Sequence, residues 1–114
     1  MMLLTKEFTF DAAHKLEWHS GPCKNLHGHT YKLHVTVQGD LDENGMVIDF
    51  GDLQKTVEEK VLDKLDHSDL NLVISNPTAE NIAVWIWKQL KDDLSLHEIK
   101  LWETPTSFVT YNGD

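Results

Sequence analysis

The run His27-Gly28-His29-Thr30-Tyr31-Lys32-Leu33-His34-Val35-Thr36-Val37 alternates along its length. Tyr31, Leu33, Val35 and Val37 fall on one face, and Lys32, His34, Thr36 and Gln38 on the other. That is the period of a strand with one buried side, from about His27 to Gln38. Side chains two apart share a strand face, so the apolar face begins with His27 and His29. Gly28 between them leaves the opposite face open to a close approach. Two imidazoles therefore point the same way at the mouth of an apolar layer. A third, His14, lies upstream in Asp11-Ala12-Ala13-His14. Three neutral nitrogen ligands with a fourth position free is the catalytic zinc pattern. His34, on the polar strand face, and His19 and His97, in polar loops, read as ordinary surface residues.

Working outward, Met2 to Phe10 reads as a first strand with Phe8 and Phe10 on one face. Ser20-Gly21-Pro22 marks residues 15 to 24 as a loop, and it carries the one cysteine, Cys23. Asn44-Gly45 is a hairpin signal, which predicts a short strand over Met46-Val47-Ile48-Asp49-Phe50 antiparallel to the second. Asp49 then caps a helix from about Gly51 to Lys64, whose face is Leu53, Val57, Val61 and Leu65. Asn76-Pro77-Thr78 opens another helix, which buries Ile82, Ala83, Trp85, Ile86 and Leu90 and runs to about Lys91. Ile99, Leu101 and Glu103 share one face of a further strand, and Ser107 to Tyr111 forms the last. Strands and helices grouped separately mean an α+β fold, an antiparallel sheet with helices on one face. Such a sheet has open edges that need covering or pairing with another subunit.

The 114 residues make one domain, 1–114, without repeat or linker. The net charge is −9 and all ten basic residues are lysine. That speaks against nucleic acid, whose binders present basic, Arg-bearing faces. No apolar run reaches the length of a membrane span and no secretory signal opens the chain, so a cytoplasmic protein is expected.

Three further elements carry chemistry. Cys23, four residues before His27, is either a reactive thiol near the metal or a fourth ligand closing a structural site. Asp66-His67 is either an acid–imidazole pair for moving protons or a helix-end histidine. Glu103 ends an apolar face. It is either exposed or a buried acid whose two oxygens match the N–H fork of a pterin or guanine edge.

These pieces come together in one family. Phe10-Asp11-Ala12-Ala13-His14, Cys23-x-x-x-His27-Gly28-His29, Met46-Val47-Ile48-Asp49-Phe50, Leu65-Asp66-His67, Leu70-Asn71, Pro77-Thr78-Ala79-Glu80-Asn81 and Trp102-Glu103-Thr104 occur in this order over the whole chain. The chain thereby resembles the 6-pyruvoyltetrahydropterin synthase / 6-carboxytetrahydropterin synthase family. The resemblance implies a tunnelling fold (T-fold), whose barrel closes by assembly into a homotrimer or homohexamer. It implies Zn2+ on His14, His27 and His29, with Cys23 as catalytic base and Asp66 and His67 completing proton transfer. It implies that Glu103 anchors the pterin and that Thr78 lines its pocket. The implied substrate is 7,8-dihydroneopterin triphosphate, with Lys15 and Lys24 as local candidates for the phosphates. The four-residue step from Cys23 to His27 resembles the 6-carboxytetrahydropterin synthases of queuosine biosynthesis. The expected products are then 6-carboxytetrahydropterin, acetaldehyde and triphosphate. The alternatives are 6-pyruvoyltetrahydropterin synthase, which stops before carbon–carbon cleavage, and a zinc-stabilised pterin-binding module without chemistry.

Overall fold

A computed structural model describes residues 1–114. β1 (Met2–His14) and β2 (His27–Gly39) form a long antiparallel pair. Their register runs from Met2 opposite Gly39 to His14 opposite His27, so the alternation of β2 brings the third histidine directly across from the first of the HxH pair. β3 (Ser68–Asp69) joins β1 in parallel, at Ala12 and Ala13 only. β4 (Leu96–Thr104) runs antiparallel to β2, and β5 (Ser107–Tyr111) antiparallel to β4. The five-stranded sheet has the order β3-β1-β2-β4-β5.

One face of this sheet is apolar by the period of two. Phe8, Phe10, Tyr31, Leu33, Val35, Ile99 and Leu101 are all buried there. They meet Leu53, Val57, Val61 and Leu65 from the first helical segment and Ile82, Ile86 and Leu90 from the second. The first segment comprises α1 (Phe50–Val57), a π turn over Glu58–Leu62 and α2 (Asp63–Leu65). Its buried residues recur every four positions, and at 3.6 residues per turn that stripe drifts by about 40° each step. The wider π turn takes up the drift, so all four of these side chains stay fully buried. α3 (Ala79–Leu90) is capped by Thr78, whose hydroxyl accepts from the Asn81 N–H. Trp85, expected in its buried face, is only half-buried.

The strand expected over Met46–Phe50 does not form. The Asp42 carboxylate accepts from the N–H groups of Asn44 and Met46, and the Asp42 N–H donates to the Met46 carbonyl. These bonds curl the stretch into a loop whose Gly45 has φ +80°. Asp49 then caps α1 through the Gly51 N–H at 2.7 Å, and Phe50 is already helical. Asn44-Gly45 makes a turn but no hairpin, because the chain runs on into a helix and not into a ladder. The opposite sheet face, with Glu7, Lys32, His34, Lys100, Trp102 and Phe108, has no covering element in the chain. The outer edge of β1 is free from Met2 to Phe10, because β3 covers only its end and Asp66 and His67 hold Asp11.

Candidate metal and acid–base site

His14 ends β1 and His27 begins β2, and the strand parity puts His29 beside them. Glu103 follows from the same parity on β4, one residue past the Lys32–Trp102 pair. The four ligand atoms of His14, His27, His29 and Glu103 lie within 4.8 Å of one another. His14 is fully buried. Its Nδ1–H donates to the Pro77 carbonyl at 2.7 Å, and His27 Nδ1–H donates to the Asn25 carbonyl at 2.7 Å. A carbonyl only accepts, so both rings carry a proton on Nδ1, and in the neutral tautomer their Nε2 lone pairs turn inward. Those two Nε2 atoms are 3.1 Å apart. His29 Nε2 is buried and has no hydrogen-bond partner.

Facing lone pairs and an orphaned buried nitrogen are costly unless a cation sits among them. One Glu103 oxygen lies 3.2 Å from His14 Nε2 and 3.3 Å from His29 Nε2. Ligand atoms about 3.3 Å apart are what a tetrahedral zinc with bonds of roughly 2.0–2.1 Å requires. The donor set therefore fits a metal ion of the zinc class. Burial holds the His29 imidazole below its ordinary range, with the Glu103 charge opposing and His14 and His27 adding to the depression. Tyr31, buried behind His14, has its phenol pushed well up by burial and by Glu103.

A pH dependence follows for the metal-free protein. The unfolded chain takes a proton on His29 near pH 6.5, the folded protein only at lower pH, so the folded state loses stability as pH falls below that value. The melting temperature of metal-free protein should be lower at about pH 5.5 than at about pH 7.5. An equal or higher value at the acid pH would contradict the assignment.

Asp66 and His67 form a second cluster with Asp11. His67 takes φ +60°, the left-handed region that a β-carbon disfavours. That twist brings its Nδ1 to 3.1 Å from the Asp66 carboxylate, a contact that neighbours in extended chain do not make. The two residues clip onto the outer edge of β1. Asp66 Oδ1 accepts from the Asp11 N–H at 3.0 Å, and the His67 N–H donates to the Asp11 carbonyl at 2.6 Å. The Asp11 bond, followed by the bond to His67, holds the Asp66 carboxyl below its usual range. His67 is 79% exposed and Asp66 42%.

Cys23 sits half-buried in the 3-10 turn Pro22–Lys24, and its thiol belongs to neither cluster. Its carbonyl accepts from the Leu16 N–H at 2.8 Å, which ties the loop to the end of β1. Thr78 serves as the α3 cap. Glu103 faces two ways, toward the histidines and into a cavity of about 130 Å³ lined also by Ala79, Glu80, Ser107, Phe108 and Val109. Lys15 Nζ lies 3.1 Å from Glu17. The sequence reading missed Asp11 and the carbonyls of Asn25 and Pro77. It also set Glu103 apart from the histidines: parity puts them on one face, but the β2–β4 register brings them together.

Comparison with known proteins bears on this arrangement. A family model described as 6-pyruvoyl tetrahydropterin synthase matches residues 3–114. The 6-carboxy-5,6,7,8-tetrahydropterin synthase of Haemophilus influenzae is 45% identical, over 97% of this chain and 99% of its own. The Synechocystis protein of the same name is 40% identical, over 97% and 93%. A dihydroneopterin monophosphate aldolase of Pyrococcus furiosus is 44% identical, over 83% of each chain. The structure of Caenorhabditis elegans 6-pyruvoyl tetrahydropterin synthase superposes with a TM-score of 0.88 at 30% identity, covering 99% of this chain and 96% of that one.

Proposed function

This chain belongs to the 6-pyruvoyl tetrahydropterin synthase family, and from that membership we propose that it is a zinc-dependent 6-carboxy-5,6,7,8-tetrahydropterin synthase. It is a lyase that converts 7,8-dihydroneopterin triphosphate to 6-carboxytetrahydropterin, acetaldehyde and triphosphate, a step of queuosine biosynthesis in the cytoplasm. The observation that carries the reading is the inward convergence of three histidine Nε2 atoms, one of them orphaned.

His14, His27 and His29 hold the zinc, with the Pro77 and Asn25 carbonyls fixing two of the rings. Bound there, zinc supplies Lewis acidity to the hydroxyl oxygens of the substrate side chain. Cys23, as thiolate, removes a side-chain proton. Asp66, ionised through its backbone bond to Asp11, orients His67 to relay protons. Glu103 accepts the N–H fork of the pterin edge and fixes the ring beside the histidines, which supplies orientation. Thr78, which caps α3 one residue after the Pro77 carbonyl that holds His14, lines the pterin pocket. Lys15 and Lys24 take the triphosphate, the first of them in competition with Glu17.

The Asp66–His67 pair lies on an exposed outer edge of β1, while the histidine cluster opens on the helix-covered face. One substrate meets both when a second copy lends its edge, and the unpaired edges of β1 and β5 suit that pairing. The working form is then a homotrimer or homohexamer. This has a direct test. His29→Ala and His67→Ala copies, each inactive alone, should regain activity when unfolded and refolded together. Random mixing leaves about a quarter of the sites with both residues intact. Mixed oligomers that form without regaining turnover would place all groups in one copy.

The 44% identity to a monophosphate aldolase favours one other reading, in which the same site cleaves a dihydroneopterin monophosphate. Comparing turnover of the triphosphate and the monophosphate separates the two. A kcat/KM higher for the triphosphate supports the synthase, and the reverse supports the aldolase.

A further inference from the structure

Leu70-Asn71 is a motif to which the proposed chemistry gives no task. Leu70 is fully buried in the core. Asn71 is half-buried in a 3-10 turn, and both polar atoms of its amide are engaged. Its Oδ1 accepts from the Lys15 N–H at 2.9 Å, and its Nδ2–H donates to the Lys15 carbonyl at 3.0 Å. Both backbone polar groups of one residue, in two successive peptide units, are thus held by one side chain, across 56 residues of sequence. Its own N–H donates to Asp69 Oδ1 at 3.0 Å, so the turn that aims the amide is itself fixed.

The residues joined here are not arbitrary. Lys15 follows His14, and the next N–H, that of Leu16, holds the Cys23 carbonyl at 2.8 Å. On the other side, Asp69 lies in β3, paired to Ala13, and His67 and Asp66 grip Asp11 just before it. The Asn71 amide stands where the segments bearing His14, Cys23 and Asp66–His67 meet. We propose that Asn71 is a positioning residue, whose two-way clasp on the Lys15 backbone sets the placement of the His14 imidazole and of the Cys23 loop relative to the β3 edge. Asparagine is suited to this because it offers one acceptor and one donor at a single reach. Aspartate lacks the donor, leucine lacks both, and glutamine is a methylene too long.

The test reads geometry apart from activity, because the kcat expectation rests on the synthase reading and the other two do not. In Asn71→Leu, kcat should fall by about 10- to 100-fold with KM little changed, the range for outer-shell partners. Cys23 should react faster with dithiobisnitrobenzoate as its loop loosens. The visible spectrum of the cobalt(II)-loaded protein should shift as His14 moves. Asn71→Asp, which keeps the acceptor, should fall between wild type and leucine in all three. If wild type proves inactive on the pterin triphosphate, the synthase reading fails while the thiol rate and cobalt spectrum still decide the clasp. A folded Asn71→Leu with wild-type thiol rate and cobalt spectrum overturns the proposal, whatever its melting temperature. Failure of both variants to fold also overturns it, by making Asn71 a folding residue.

Discussion

Cys23→Ala should abolish turnover and keep the metal. The expected loss in kcat is about 10³-fold, the middle of the range for removing a positioned general base. The reason lies in the geometry. The thiol stands outside the cluster of His14, His27, His29 and Glu103, whose ligand atoms all fall within 4.8 Å of one another. Losing it removes no ligand from that set. The side chain is only half-buried, in a short 3-10 turn without a buried residue, so melting temperature should change little. Steady-state kinetics with metal analysis of the same sample checks both halves. Loss of zinc together with a fall in stability would show Cys23 to be a fourth ligand in a closed structural site.

His29→Ala should have the opposite signature. Zinc affinity should fall by more than the roughly 100-fold that outer-shell changes produce, with turnover falling in step. His29 is the better probe of the three proposed ligands. His14 is fully buried and donates to the Pro77 carbonyl, so its replacement also damages the packing at the start of α3. His29 instead has an orphaned Nε2 whose one evident use is to hold a cation. Competition with a chromogenic chelator measures the affinity. Unchanged zinc binding in His29→Ala would remove the histidine set as the metal centre.

Much of this arrangement was legible in the sequence because it depends on short-range periodicity. The alternation of β2 set the apolar face, and with it the shared direction of His27 and His29. Capping chemistry at Asp49 and Thr78 located the starts of both helical segments. The misread parts depend on longer-range or less regular causes. Met46–Phe50 has a strand's composition, but the Asp42 carboxylate commits the Met46 N–H, and that of Asn44 before it, to a turn. β3 is two residues long and exists only because Ser68 and Asp69 lie against Ala12 and Ala13, contacts between segments 56 residues apart. The direct Asp66–His67 bond needs a left-handed backbone at a histidine, which no propensity predicts. The approach of Glu103 to the histidines is a matter of β2–β4 register, which the strand's own pattern leaves open.

In the proposed function, a metal held by His14, His27 and His29 supports carbon–carbon cleavage of a pterin triphosphate. The most direct test is to incubate the zinc-loaded protein with 7,8-dihydroneopterin triphosphate and identify the products by mass spectrometry. The account predicts 6-carboxytetrahydropterin with acetaldehyde released alongside it, both lost when the metal is removed by chelation. A pyruvoyl product without acetaldehyde, or substrate recovered intact from zinc-loaded protein, would contradict it.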